Sequence, residues 1–412
     1  MSTMVFLNPT AMEAGLEAAF AALDAPSDAA RAAFARVAKR GLPTRREEGW
    51  RWSDFSAALR QREPKPVATP EDALDASPFV DAAPFECSII DGRIVTPEAA
   101  APDGVDISVS APLAPREASA DHPMATLNGA MAQRALQISV ADGAHVARPI
   151  LIRHIAGGEA FSFAQSNIVV GAGAKATIIE TYEGEGAGFY SHLNHVSVAE
   201  QAALSRVSLQ TIGDDAVLHQ QSVGDIAAGA QFRQTGLATG ARLSRAETML
   251  DIVGEDADVM IDSASLAEGN RHQDFTTHMR FKARGCSVRQ RHKSVSRGRG
   301  RSIFQGKFEV ARPAQKTDAQ MAANALLLSD GAEANHKPEL EIYADDVECA
   351  HGSTCGALDE EALFYLRQRG LKEEAARALL IDAFLSEVFD NIDDETVRGV
   401  FRAGVARWLG TL

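Results

Sequence analysis

The chain has 412 residues, 45% apolar and 24% charged, which is ordinary globular usage and excludes wholesale disorder. At roughly 150 residues per domain, the length predicts two or three folded units. Forty-one basic against 56 acidic residues give a net charge of −15, which argues against nucleic acid or an anionic membrane as a general partner. The four cysteines, Cys87, Cys286, Cys349 and Cys355, are too few for a disulfide scaffold and point to a reducing compartment. The first residues carry no basic and apolar signal pattern, and no apolar stretch approaches the ~18 residues of a membrane span. A cytoplasmic protein is the expectation.

Residues 1–60 read as helical. Thr10 and Glu13 fit a capping box, followed by Leu16, Phe20 and Leu23 at helical spacing. Ser27 opens a second helix with Ala30, Phe34 and Val37 on one face, and Gly41-Leu42-Pro43 stops it. Trp50 and Trp52 suit a segment that packs its indoles on the next domain. Residues 61–84 contain Pro64, Pro66 and Pro70 and read as a linker.

Residues 85–356 change character. Helical periodicity gives way to short alternating runs broken by glycine. One pattern recurs: an apolar residue, three residues, Ala, one residue, an apolar residue. It occurs as Val140/Ala144/Val146, Val170/Ala174/Ala176, Val198/Ala202/Leu204, Ile226/Ala230/Phe232 and Val253/Ala257/Val259. Its starts differ by 30, 28, 28 and 27 residues, and Val310/Ala314 fits as a degenerate copy two periods on. A constant period with strand-like alternation predicts a right-handed parallel β-helix, a β-solenoid. One coil cannot bury its own apolar face, so coils stack their inward residues into a common core. The small Ala marks a tight corner. Val140, Val170, Val198, Ile226 and Val253 should form one inward column. The fold class is therefore mainly β, flanked by N-terminal and C-terminal helices.

Residues 357–412 return to helix. Asp359 can cap a helix running to Gly370, with Leu358 and Leu363 as its staple. Leu380, Phe384 and Val388 mark a second helix. Asp393 can cap a third carrying Val397, Phe401 and Val405.

The densest reactive cluster is Glu348-Cys349-Ala350-His351-Gly352-Ser353-Thr354-Cys355-Gly356. It follows the alternating run Leu340–Ala344. If that strand pattern continues, Cys349 and His351 point to one face and could share a soft metal such as iron or zinc. Two ligands do not complete a tetrahedral site, so another segment or another chain would supply the rest. The competing reading is a buried small hydrophobe at Cys349 and a satisfied polar residue at His351. His192 and His195, three apart, fall on opposite faces of a strand; His272 and His278, six apart, share one. From Arg280 to Arg301 nine Lys or Arg occur with no acidic residue, in alternating triplets at 280/282/284, 289/291/293 and 297/299/301. They suit the outward, solvated face of strands, or a stripe for a phosphate-bearing or acidic partner. No phosphate-binding G-x-x-x-x-G-K-[ST], no G-x-S-x-G and no H-E-x-x-H is present. The chain should not hydrolyse ATP by itself.

A set of runs then resembles a known family. Phe304–Val310, Ala314–Asp318, Leu326–Asp330, Lys337–Ile342, Ala344–Val347, Cys349–Gly352 and Leu363–Gly370 resemble the SufB/SufD family of iron–sulfur cluster assembly. The match is dense over residues 270–390. Gly41 through Trp52 also resembles the family's N-terminal segment. The Cys-x-His-Gly form is similar to the SufD branch rather than the SufB branch. The chain departs from the branch at Ala350, where Ser is common, and at Ser353 and Cys355, where Ala and Val are common. The resemblance implies a non-catalytic scaffold that pairs with a SufB-like paralogue through the β-helix and binds a SufC-like ATPase through its C-terminal helices. It implies a transient iron–sulfur cluster at the shared interface, with His351 as the favoured ligand and Cys349 the weaker one. A homodimer is the expectation for the chain alone. A carbohydrate-active β-helix enzyme is the alternative function. A hexapeptide-repeat acyltransferase is a poorer fit, because the period is near 28 rather than six.

Overall fold

The computed structural model describes residues 5–59, 76–114, 116, 119 and 121–410. The proline-rich stretch of the expected linker lies outside the described residues up to residue 75.

The centre is a β-solenoid of about eight turns. Each turn contributes one strand to each of two sheets, one of ten strands and one of nine. Every successive pair within a sheet is parallel, except at the N-terminal end. There Arg93–Val95 lies antiparallel on Phe85–Ile90, and Val105–Ser110 lies antiparallel on Ala135–Val140. These two pairs close the beginning of the coil. The last strands are Glu333–Ile342 in the nine-stranded sheet and Glu348–Gly356 in the ten-stranded one.

The repeat becomes a column of side chains in register. Val140, Val170, Val198 and Ile226 stack as expected and are buried. The next member is Ile252, not Val253, and the column runs on through Phe281 to Val310. Val253 is 46% exposed. The reason is one extra corner residue: five positions separate Ile252 from Ala257, against four from Ile226 to Ala230. Counting back four from the corner therefore lands outside the coil. The coil between Val253 and Val310 escaped the pattern because Cys286 takes the corner Ala position and again follows a longer turn. Its thiol donates to the Gly254 carbonyl at 3.3 Å.

The corner has a backbone cause. The residue before the small corner residue is left-handed in six coils, at Gly143, Gly173, Gln201, Gly229, Asp256 and Gly285, with φ between 57° and 74°; before Ala314 it is Pro313 instead. Four are glycine, which adopts this region without a Cβ clash. The tight bend then leaves room for Ala or Cys alone beneath it. The apolar core formed this way runs from Phe85 and Ile89 to Met321 and Ala323.

Helices cover both outer faces. At the N-terminal side, α1 (Ala11–Ala21) carries the Thr10/Glu13 capping box, and α2 (Asp28–Arg40) is capped by Ser27. Leu23 lies just past the end of α1, partly buried. These helices, the short α3 (Phe55–Leu59) and α4 (Pro123–Met131) bury Leu16, Phe20, Phe34, Val37 and Trp50 with Phe163, Phe189 and Val217 of the nine-stranded sheet. The helices α5 (Glu360–Gln368), α6 (Glu373–Phe389) and α7 (Glu395–Leu409) follow the last strand. The latter two pack on Leu151, Val207, Leu237 and Val295 of the ten-stranded sheet. Asp359 caps α5 as expected, accepting from Glu361 and Ala362. Two expectations shift by one residue. The deepest face of α6 is Ile381, Leu385 and Val388, with Leu380 and Phe384 partly buried at its margin. The cap of α7 is Asp394, not Asp393, and accepts from Thr396 and Val397.

Candidate site at the open end of the solenoid

The strand Glu348–Gly356 is the outer edge of the ten-stranded sheet, paired on one side with Asp318–Leu327. The Glu348 N–H donates inward to Thr317 at 2.8 Å. Alternation along a strand then leaves the backbone groups of Cys349, His351, Ser353 and Cys355 at the free edge. Register opposes Cys349 to Ala319, His351 to Met321 and Cys355 to Ala325. Ala319 and Met321 are core residues, so Cys349 and His351 share the coil's inward side. On that side Cys349 is half-buried and His351 is exposed, at the strand where the stack of coils ends among the described residues.

The two side chains differ in environment. Cys349 is partly buried against the apolar core. Burial pushes its thiol above the ordinary cysteine value, a hydrogen bond from the Ala319 backbone opposes that, and the Asp318 charge adds to it. A thiolate here needs a metal or a cation beside it. His351 is exposed and borders a groove of about 600 Å³ together with Arg289, Gln320, Ala322, Ala350 and Asn391. Cys355 is exposed, and no contact in the structure accounts for it.

His336 was not legible as part of this end. It sits on Glu333–Ile342, opposed to Phe304 of the core. Its Nδ1 lies 2.8 Å from the Ser353 hydroxyl, between His351 and Cys355 in sequence. Burial lowers its affinity for a proton. Pro338 hides the strand from a pattern search; alternation back from Leu340 would have revealed it. Among the described residues no three His, Cys, Asp or Glu side chains converge as a complete metal site.

The other histidine pairs do not form chelates. His192 contacts His154 and Tyr182 inside the coil, with ring centroids 4.3 and 5.3 Å away. His195 falls on the opposite side of its strand. His272 and His278 share a face, but His272 lies 3.3 Å from the Ser53 hydroxyl and His278 is 3.0 Å from Glu309.

Seven of the nine basic residues pair internally, while Arg284 and Arg299 are exposed. Lys282 pairs with Asp251 at 2.8 Å, Arg291 with Asp262 at 3.0 Å, Arg297 with Glu268 at 2.6 Å and Arg301 with Glu333 at 3.2 Å; Arg280 and Arg289 pair with Asp251 and Asp318. Lys293 is not on the solvated face. It is buried under α6, pairing with Glu387 and donating to the Phe384 carbonyl, both at 2.7 Å. Carboxylates of neighbouring coils, and Glu387 of α6 for Lys293, account for these charges, placed by a register that no single strand reveals.

Two buried ion networks also escaped the sequence. Inside the coil, Glu180 accepts from Arg206, from Asn194 at 3.1 Å and from the Tyr182 hydroxyl at 3.2 Å, with His154 at 3.3 Å. Burial alone would raise its pKa. The Arg206 charge and the His154 contacts overcome that and bring it to about 2. On the outer face, Glu247 joins Arg245 at 2.6 Å, His219 at 2.9 Å and His122 at 3.1 Å, and Arg245 also holds Asp274 at 2.6 Å.

Comparison with known proteins gives consistent results. Residues 153–384 match the family model described as SUF system FeS cluster assembly, SufBD core domain. The iron–sulfur cluster assembly protein SufD of Escherichia coli is 30% identical over 395 residues, covering 88% of each chain. The protein ABCI7, chloroplastic, of Arabidopsis thaliana is 28% identical over 388 residues, 86% of this chain and 80% of its own. A SufBD family protein of Synechocystis is 31% identical over 251 residues, 58% of this chain and 55% of its own. With its stacked-coil core and its matched length, the chain belongs to the SufB/SufD family of iron–sulfur cluster assembly proteins, on the SufD side.

Proposed function

We propose that this chain is a non-catalytic scaffold subunit that supplies one side of a shared iron–sulfur cluster site. One observation carries the reading: Cys349 and His351 lie on one side of a free edge strand and lack a third protein ligand among the described residues. Cluster iron is held tetrahedrally by sulfide and protein ligands. A two-residue set on an edge is what a subunit contributes when a second chain contributes the rest. The cluster is cargo here, formed and passed on. His351 is the favoured ligand because it is exposed. Cys349 is the weaker one, since its thiol must first lose a proton against burial.

The partner that completes the site is a SufB-like paralogue meeting the end of the solenoid. A second copy of this chain uses the same edge when the paralogue is absent. A SufC-like ATPase docks on the C-terminal helices, where Phe364 and Tyr365 of α5 are 62% and 57% exposed. The division into residues 1–60, 61–84, 85–356 and 357–412 assigns helix, linker, site and docking roles in turn. The location proposed is the cytoplasm. No described helix is long and apolar enough to cross a membrane. The family match supports the assembly reading over the carbohydrate-active and acyltransferase alternatives.

The test is co-expression with a SufB-like and a SufC-like partner, followed by iron and sulfide analysis of the complex. His351→Ala should assemble normally and fail to accumulate cluster, while Cys355→Ser should match the unaltered chain. A normal cluster content in an intact His351→Ala complex refutes the ligand role.

A further inference from the structure

The solenoid is closed at its N-terminal end by two antiparallel strands, yet among the described residues its C-terminal coil has a stacking neighbour on one side alone. End repeats of such arrays fray unless capped, because each coil is stabilised mainly by its neighbours. The segment from Glu48 to Phe55 runs across the strands of the nine-stranded sheet towards that coil. Phe55 packs on Phe189 and His219, with ring centroids 5.5 and 5.7 Å away. Trp50 stacks over the Arg245 guanidinium at 4.2 Å. The Ser53 hydroxyl bonds Asp274 and lies 3.3 Å from His272. The Gly49 carbonyl accepts from Gln305 at 3.3 Å, and Glu48 pairs with Lys337 at 2.7 Å. Phe189, His219, Arg245, Asp274, Gln305 and Lys337 sit on six consecutive strands of the nine-stranded sheet. At about 4.8 Å per strand, the span is roughly 24 Å.

We propose that Glu48–Phe55 is a transverse strap that holds the terminal coil in register and thereby positions the strand bearing His351. Its anchor is the buried Arg245–Glu247–Asp274 network under Trp50. Its far end grips Lys337, next to His336, whose ring lies 2.8 Å from the Ser353 hydroxyl on the His351 strand. Glu48, Lys337, His336 and Ser353 are positioning residues on this account; none is a ligand. The importance of the site strand rests on the function proposed above. The strap itself does not.

The experiment uses the full chain and amide hydrogen exchange read peptide by peptide. Glu48→Lys opposes two like charges at the far end without touching the anchor. Exchange over 333–342 and 348–356 should quicken about two- to five-fold, the scale of a single surface ion pair, while 243–252 stays unchanged. Lys337 also pairs with Glu339 at 3.0 Å, so the swap adds Lys337→Glu and Glu339→Gln to Glu48→Lys; it restores an attractive pair and should recover most of the protection. Unchanged terminal exchange, or equal quickening throughout the solenoid, overturns the strap, as does failure of the swap to recover protection. In the co-assembled complex, cluster content should fall with Glu48→Lys and return with the swap. Normal cluster content despite a loosened terminal coil overturns the positioning role. An unaltered complex that gathers no cluster sinks the proposed function instead, and the exchange result then still decides the strap.

Discussion

The interior histidines make acid stability a quantitative matter, and His292 is the sharpest case. Its ring is fully buried, stacked on Phe304 at 5.1 Å with 12° between planes, and its Nδ1 is 2.8 Å from the Ser263 hydroxyl. Burial, with the neighbouring His336 adding to it, lowers its pKa to about 3. An unfolded histidine titrates near 6.5. As pH falls below that value, the unfolded chain takes up the proton while the folded chain refuses it. Stability supplied by this group is therefore complete above about pH 6.5 and drains away as pH drops towards 3. At pH 5 the loss relative to pH 7 is about 2 kcal/mol, from 1.36 kcal/mol per pH unit per proton. His292→Phe keeps the ring packing and removes the proton. It should cost stability at pH 7, because Ser263 loses its partner. Its further loss between pH 7 and pH 5, measured by urea denaturation at both values, should be about 2 kcal/mol smaller than for the unaltered chain. An identical pH 7-to-5 loss in the two proteins would refute a neutral, proton-refusing His292.

Three further outcomes follow from the structure. Ile226→Ala opens a cavity in the middle of the column and should destabilise by about 2–5 kcal/mol, whereas Val253→Ala, one residue out of register, should stay within ~0.5 kcal/mol; chemical denaturation of both tests the corrected register. Arg206→Met strands Glu180 as a buried charge and should cost about 3–5 kcal/mol, recovered in large part by adding Glu180→Gln, with thermal unfolding as the readout. Phe364→Ala combined with Tyr365→Ala should weaken capture of a SufC-like ATPase at least ~10-fold without lowering the melting temperature, since both rings are exposed; unaltered affinity in a binding titration places the docking surface elsewhere.

Much of the molecule was readable before folding because it rests on near neighbours. Capping boxes, glycine stops and the apolar stripes of α1, α2 and α7 are set within a few residues, and they appear within one position of expectation. The solenoid period was readable because each coil repeats the same local problem, a bend followed by an inward apolar residue. The errors came where one residue was added to a corner, as after Ile252, or where Cys286 stood for Ala. A fixed-spacing search cannot follow either change. Cys349 and His351 could be placed on one side of a strand from alternation alone.

Other features depend on residues far apart in the chain. Lys293 meets Glu387, Lys337 meets Glu48, and Ser53 meets Asp274 across 94, 289 and 221 positions. Whether a charge faces water, a carboxylate or a helix carbonyl is decided by the neighbouring coil and by the helix laid over it. The basic run shows this plainly: its alternation was legible, and its neutralisation was not. The same holds at the candidate site. Sequence alternation determined that Cys349 and His351 point one way, but tertiary stacking decided how far each is buried. The sheets end at Glu333–Ile342 and Glu348–Gly356 among the described residues, and there His351 is exposed, whereas Met321, which occupies the same row one coil earlier, is buried.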